Sequence, residues 1–216
     1  MTEPHATHRA SIDDPVQLDL LRFFLAEFKD VYHLPTGAHD LHLLETGAIS
    51  DDEFFDRMTA RYVADGGDAS VDARIAQRVV FGRGLAACGA MIDAVRQVKG
   101  AGYRTALLTN ISRSGEAVWR SLFAVDELFD VVVDSSQVGL RKPDPAIFLL
   151  TCARLELQPE QCLFVDDLRC NVDAAADLGM TTLQCKDPVI VADEVVEMLL
   201  GRPAAAEPEW SESTRR

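Results

Sequence analysis

From Tyr103 onward, short apolar runs alternate with helical stretches, and this rhythm constrains the fold more than any other feature of the chain. "YRTALLTN" (103–110), "FDVVVDSS" (129–136), "CLFVDD" (162–167) and "MTTLQC" (180–185) read as strands. Between and after them, "SGEAVWRSLF" (114–123), "DPAIFLLTCARL" (144–155), "NVDAAADLG" (171–179) and "ADEVVEMLL" (192–200) read as helices. A helix between successive strands means right-handed crossovers and a parallel sheet covered on both faces. The expected class is therefore α/β, with a Rossmann-like parallel sheet.

The first hundred residues have another character. "VQLDLLRFFLAEF" (16–28) has apolar residues at helical spacing, and Ser50-Asp51-Asp52-Glu53 is a capping-box pattern that predicts a helix from about Ser50. "DARIAQRVVF" (72–81) continues the helical reading, and Met91, Ile92, Val95 and Val98 form the stripe of a further helix stopped by Gly100 and Gly102. These patterns divide the chain into an irregular arm (1–15), a mostly helical unit (16–88), an α/β core (89–201) and a tail (202–216) too poor in apolar residues to pack.

Composition narrows the function. A net charge of −14 argues against nucleic acid, whose binding needs clustered Lys and Arg. The five cysteines contain no Cys-x-x-Cys pair, so neither a disulfide framework nor a zinc site is expected. No apolar signal core opens the chain and no run reaches the roughly 20 residues of a membrane span, so no membrane partner and a cytoplasmic location are expected.

Chemistry gathers where the strands end. In open α/β sheets, ligands bind beyond the carboxyl ends of the strands. Thr109-Asn110, Ser135-Ser136 and Asp166-Asp167 sit at three such ends, and Lys142 lies in the loop "GLRKPDP". Each has a duller reading alone: Thr-Asn as a turn or cap, Asp-Asp as a cap with a solvated neighbour, Lys142 as a surface charge. Yet the chain uses 17 Arg and only 4 Lys, which makes a Lys directly after Arg141 a marked choice. Together, a hydroxyl, an amide, an ammonium and a carboxylate pair suit a phosphoryl group with Mg²⁺. The cation would also offset the like charges of Asp166 and Asp167.

"ALLTN", "GLRKPDPAIF" and "CLFVDDLRCNVDAAADLGM" resemble the second, third and fourth motifs of the haloacid dehalogenase superfamily. The likeness is to the phosphatase-like branch that includes the N-terminal domain of soluble epoxide hydrolase. It runs from about Val16 to Leu200, since "LETGAISDDEFFDRM" looks like the helical cap of that branch. The resemblance implies that Thr109 binds phosphoryl oxygens and Asn110 helps to orient them. Lys142 would neutralise nucleophile and phosphate, Asp167 would ligate Mg²⁺ directly, and Asp166 would assist. The substrate would be a small phosphorylated metabolite. His33, His39 and His42 are read as exposed cap histidines.

One part of the family pattern is not found. Its first motif is an apolar strand ending in Asp-x-Asp, central in the sheet between the strands ending at Asp166 and Asn110. "PHATHRASIDDPVQ" occupies that place, and Asp13-Asp14 have the wrong spacing, no apolar run before them and Pro15 after them. The expectation is a recorded start downstream of the true one, a sheet lacking its first central strand, and self-association through the gap. Alternatives are a catalytically silent phosphate- and metal-binding module, and a 2-haloacid dehalogenase. The Asp-Asp pair counts against the last, because dehalogenases need no metal.

Overall fold

The computed structural model describes residues 15–34, 36–75 and 86–201. The expected arm, the continuation of the helical reading over 76–81, the tail and Asp13-Asp14 lie outside them. Helices α1 (Pro15–Phe28), α2 (Asp40–Glu45) and α3 (Asp51–Ala64) come first. Ser50 caps α3 as its sequence requires, with its hydroxyl accepting from Glu53 N at 3.1 Å. Leu20, Phe24, Leu44, Phe54, Phe55, Met58 and Tyr62 close a core of their own. The Tyr62 hydroxyl donates to Asp19 at 2.9 Å, and Arg61 reaches Glu27 at 2.8 Å and also Asp40.

The histidines correct one expectation. His42 is fully buried with its Nε2 2.8 Å from Val31 O, and His39 Nδ1 caps α2 by accepting from Leu41 N; His33 is exposed as expected. The α2 helix itself was not foreseen. Its single turn and a half carries too few residues for a periodicity to register.

The remaining described chain runs α4 (Gly89–Gly100), β1 (Ala106–Thr109), α5 (Glu116–Arg120), α6 (Val125–Leu128), β2 (Val131–Asp134), α7 (Ser135–Val138), α8 (Pro145–Leu155), β3 (Leu163–Asp166), α9 (Arg169–Asp177), β4 (Thr181–Gln184) and α10 (Pro188–Leu200). The helix expected over 114–123 keeps regular geometry only in α5. There Ser121 Oγ donates back to Val118 O at 2.6 Å, a local bond that competes with continued helix. Ser135 and Ser136 open a helical turn rather than extend the second strand, because Asp134 Oδ1 accepts from Ser136 N and its hydroxyl at 2.8 and 2.7 Å. The last helix begins at Pro188, four residues before the expected Ala192. Asp187 caps it and Pro188 fits its first turn, a start signal present in the sequence and not used.

The strands form parallel pairs, β1 with β2 and β3 with β4, and no ladder joins the pairs among the described residues. Thr105 O accepts from Val131 N at 3.2 Å, so odd-numbered backbone groups of β1 face β2 and those of Ala106 and Leu108 face away. In β3, Cys162 O and Asp166 O accept from Thr181 N and Cys185 N, which turns Leu163 and Val165 away from β4. Every residue of β1 and all but Asp166 of β3 are only half-buried, whereas central parallel strands are normally buried on both faces.

Helices join what the ladders do not. Phe148 of α8 is fully buried and meets Phe164 of β3 edge-on at 5.2 Å, in a cluster that also takes in Val133 and Leu108. On the opposite face, Val98 of α4 and Val191 and Val195 of α10 cover Leu163, Val165 and Leu183. All five cysteines are free thiols, and no described helix is long and apolar enough to cross a membrane. If Phe148 bridges the strand pairs, Phe148→Ala should cost about 3–5 kcal/mol. Leu149→Ala, at a side chain 46% exposed, should cost far less in the same urea titration.

Candidate active site

Lys142 stands between the strand pairs. Its Nζ donates to Asp166 Oδ2 at 2.6 Å and to Leu108 O at 3.0 Å, one acceptor from each pair. Leu108 O belongs to the edge of β1 that β2 does not use, so the ammonium satisfies a carbonyl that the sheet leaves open. Lys142 and Asp166 are both buried, and an ion pair in such a place needs its remaining polar atoms filled to be tolerated. They are filled on the carboxylate side: Asp166 Oδ1 accepts from Leu168 N and from Asn171 Nδ2, each at 2.9 Å. The Lys142 ammonium also lies 5.8 Å from the centre of the Phe164 ring.

Asn110 fixes the lysine's backbone. Its Oδ1 accepts from Lys142 N and its Nδ2 donates to Lys142 O, both at 2.9 Å. Both ends of the amide are thus engaged, and what Asn110 orients here is Lys142. Thr109 ends β1 opposite Asp134, half-buried, with no hydrogen bond from its hydroxyl among the described residues. Asp167 is exposed and its carboxylate carries no donor; only its main-chain oxygen is engaged, by Gln184 at 3.1 Å. The structure thus brings Lys142, Asp166, Asn110 and the end of β1 together, with Asp167 at the adjoining surface.

No group of three or more His, Cys, Asp or Glu side chains could hold a metal among the described residues. An open carboxylate beside a lysine-held one still fits Mg²⁺. That ion binds through one or two carboxylates and takes the rest of its shell from water and substrate phosphate.

A second buried pair lies one residue away, on the side of the first helices. Arg141 Nε donates to Glu45 Oε2 at 2.7 Å, with the arginine side chain 0% and the glutamate 7% exposed. Both Nη atoms of Arg141 are buried without a hydrogen-bond acceptor among the described residues. Burial pushes the Glu45 carboxyl up, against the pull of Arg141. The junction around this pair is polar throughout. Ser135 Oγ donates to Glu45 O at 2.6 Å, Arg113 Nε to Ser136 O at 3.3 Å, and Ser114 Oγ to Asp51 at 2.6 Å. Gly47, at φ +68°, passes so close that a Cβ there would lie 2.5 Å from Ser136 O. The Tyr32 phenol lies within electrostatic range of this pair: burial first, then the Glu45 charge, push it up, against the pull of Arg141.

Sequence reasoning did not find Glu45, Arg141 or Tyr32 as a group. In the sequence Arg141 stands out only as the residue before Lys142, and Glu45 only as part of the cap-like stretch. Burial pushes the Cys152 thiol up to about 12, and Cys162, Cys170 and Cys185 upward as well, which disfavours their thiolates.

A model of the haloacid dehalogenase-like hydrolases matches residues 18–179. The chain belongs to that family. It is 43% identical over 116 residues to mouse acyl-CoA dehydrogenase family member 10, covering 52% of this chain and 10% of that protein. It is 30% identical over 101 residues to rat bifunctional epoxide hydrolase 2, covering 45% of this chain and 18% of the relative. The matches therefore span only a small part of those relatives' lengths. Among solved structures, a Bacteroides thetaiotaomicron family enzyme in complex with magnesium and inorganic phosphate superposes with a TM-score of 0.56. That pair is 20% identical and covers 77% of this chain and 84% of the other, a likeness that shows the Rossmann-like α/β fold.

The buried charge pair generates a test. Lys142→Met should destabilise by about 3–5 kcal/mol, because it leaves the Asp166 carboxylate buried and unpaired. Adding Asp166→Leu should recover most of that loss. Urea denaturation of the single and double variants measures both.

Proposed function

We propose that this hydrolase is a Mg²⁺-dependent phosphatase acting on a small phosphorylated metabolite. The observation that carries the reading is the Lys142 ammonium held between Asp166 Oδ2 and Leu108 O, at 2.6 and 3.0 Å, where the strand pairs leave a slot. An ammonium fixed there offers positive charge to a phosphoryl oxygen without reorganising when the charge develops. Thr109 presents its open hydroxyl to the same oxygens, and Asn110 acts by holding Lys142 in place. Asp167, supported by Asp166, would hold Mg²⁺, which supplies charge neutralisation on the phosphate. Residues 16–88 would serve as the cap over a core of residues 89–201. That a neighbouring fold was solved with magnesium and phosphate agrees with this chemistry.

In the family pattern the nucleophile is an Asp on the strand between those ending at Asp166 and Asn110. No described strand lies there. The nucleophile of this reading lies outside the described residues; it attacks phosphorus and displaces the substrate's alcohol to form an aspartyl-phosphate, which water then hydrolyses. A silent phosphate-binding module is the second reading, favoured by the full set of donors already on Asp166.

Release of phosphate from p-nitrophenyl phosphate, with and without Mg²⁺, tests the assignment. Residues 1–216 should turn over little, and a chain extended through an Asp-x-Asp strand should gain activity. Robust turnover by 1–216 would put the nucleophile inside this chain, with Asp13 and Asp14 the first to replace. An extended chain that stays inactive favours the silent module. In calorimetry, Asp167→Asn should weaken Mg²⁺ binding by at least about tenfold, roughly 1.4 kcal/mol, whereas Asp193→Asn at an exposed helix position should not. Equal affinities would remove Asp167 from the metal site.

The slot also bears on assembly. Edges of β1 and β3 without ladder partners are templates for another strand. Residues 1–216 should bind the dye ANS and self-associate in size-exclusion chromatography, and the extended chain should do neither. A monodisperse monomer that melts as high as the extended chain would show the slot to be filled.

A further inference from the structure

Arg141 is the largest fully buried side chain described, and its bonding is incomplete in a particular way. Glu45 takes Nε alone, at 2.7 Å, and leaves the terminal pair of nitrogens, Nη1 and Nη2, without an acceptor. Buried polar groups are nearly always satisfied, so an orphaned pair needs an explanation. These two nitrogens form a planar fork, the shape that matches the two oxygens of a carboxylate.

The surroundings supply a further donor. Tyr32 follows Val31, which is 1% exposed and whose carbonyl lies 2.8 Å from the buried His42 Nε2, so the backbone beneath the phenol is anchored. The Tyr32 hydroxyl has no hydrogen bond among the described residues, and the ring lies within electrostatic reach of Arg141, Glu45 and Asp167. Arg141 and Lys142 are consecutive in one loop: Lys142 bonds to the strand ends, and Arg141 bonds to Glu45, whose carboxyl also senses Lys142. A ligand whose phosphate meets Lys142 would extend toward Arg141 and Tyr32.

We infer that Arg141 and Tyr32 form a second anion subsite, which takes a carboxylate carried by the phosphorylated substrate. The inference rests on the phosphatase reading and names its substrate class as phosphorylated carboxylic acids. Glu45 balances the charge of Arg141 and fixes the guanidinium plane. Recognition therefore comes from directed hydrogen bonds, and a ligand without the carboxylate would leave buried donors unpaired. Because both Nη atoms are shielded from solvent, the ligand enters when the polar contacts at Glu45, Ser136 and Asp51 part.

Calorimetry on the 216-residue protein with Mg²⁺ tests this using 2-phospholactate and isopropyl phosphate, which differ by a carboxylate in place of a methyl group. The wild type should bind 2-phospholactate about 10- to 100-fold more tightly, the range expected for hydrogen bonds to a charged group. Tyr32→Phe, at a half-buried ring, should reduce that ratio several-fold and leave isopropyl phosphate unaffected. Arg141→Lys should bring the ratio near one. Equal affinities in the wild type, or a ratio untouched by Tyr32→Phe, overturn the subsite while the phosphatase reading stands. Failure to bind either ester overturns both. The wild-type ratio and Tyr32→Phe decide the matter even if Arg141→Lys does not fold.

Discussion

One ammonium group holds this architecture together at its weakest place. A parallel sheet normally transmits cohesion through a continuous ladder of main-chain bonds, and among the described residues no ladder joins β3 to β1. Lys142 replaces a part of it, taking Leu108 O from one side and Asp166 from the other. Its own position is set by the reciprocal amide pairing with Asn110, one residue beyond the end of β1. Under the proposed function the same atoms would serve both cohesion and chemistry. A phosphoryl group that recruits Lys142 must compete with bonds that help to join the two halves of the core.

The groups around Lys142 are fully engaged. Asp166 has an Asn171 amide and a main-chain N–H in addition to the lysine, so partial withdrawal of Lys142 would not leave it bare. Phe148 and Phe164 supply apolar contact between the strand pairs that needs no ladder. Asp167, by contrast, is exposed and uncommitted. The two adjacent carboxylates at the end of the β3 run sit in different environments: one is buried and paired with a lysine, the other is left in water.

Much of this was legible in the sequence because it depends on local pattern. Alternating apolar runs and helical stripes place every described strand of the core to within a few residues. Strand ends were harder, since Asp134 turns its two serines into a helical cap by side-chain bonds that a hydropathy pattern does not register. The Glu45–Arg141 pair was out of reach for another reason. Its partners lie 96 positions apart, and nothing in "LETG" or "GLRK" marks either as buried. His42 was misread in the same way, because only the packed helices make a polar ring an interior residue with a carbonyl to meet.

Gly47 has a consequence of its own. The approach of the first helices to the core is limited by hard contact at this one point, where a methyl group would overlap Ser136 O at 2.5 Å and the Arg113 side chain at 2.9 Å. Two positions earlier in the chain, Glu45 depends on that approach to reach Arg141. A single absent carbon therefore acts as a shim, and its thickness sets the electrostatics of a guanidinium it never touches. Any change at Gly47 would have to move Ser136 or Arg113, and with them the spacing of the junction.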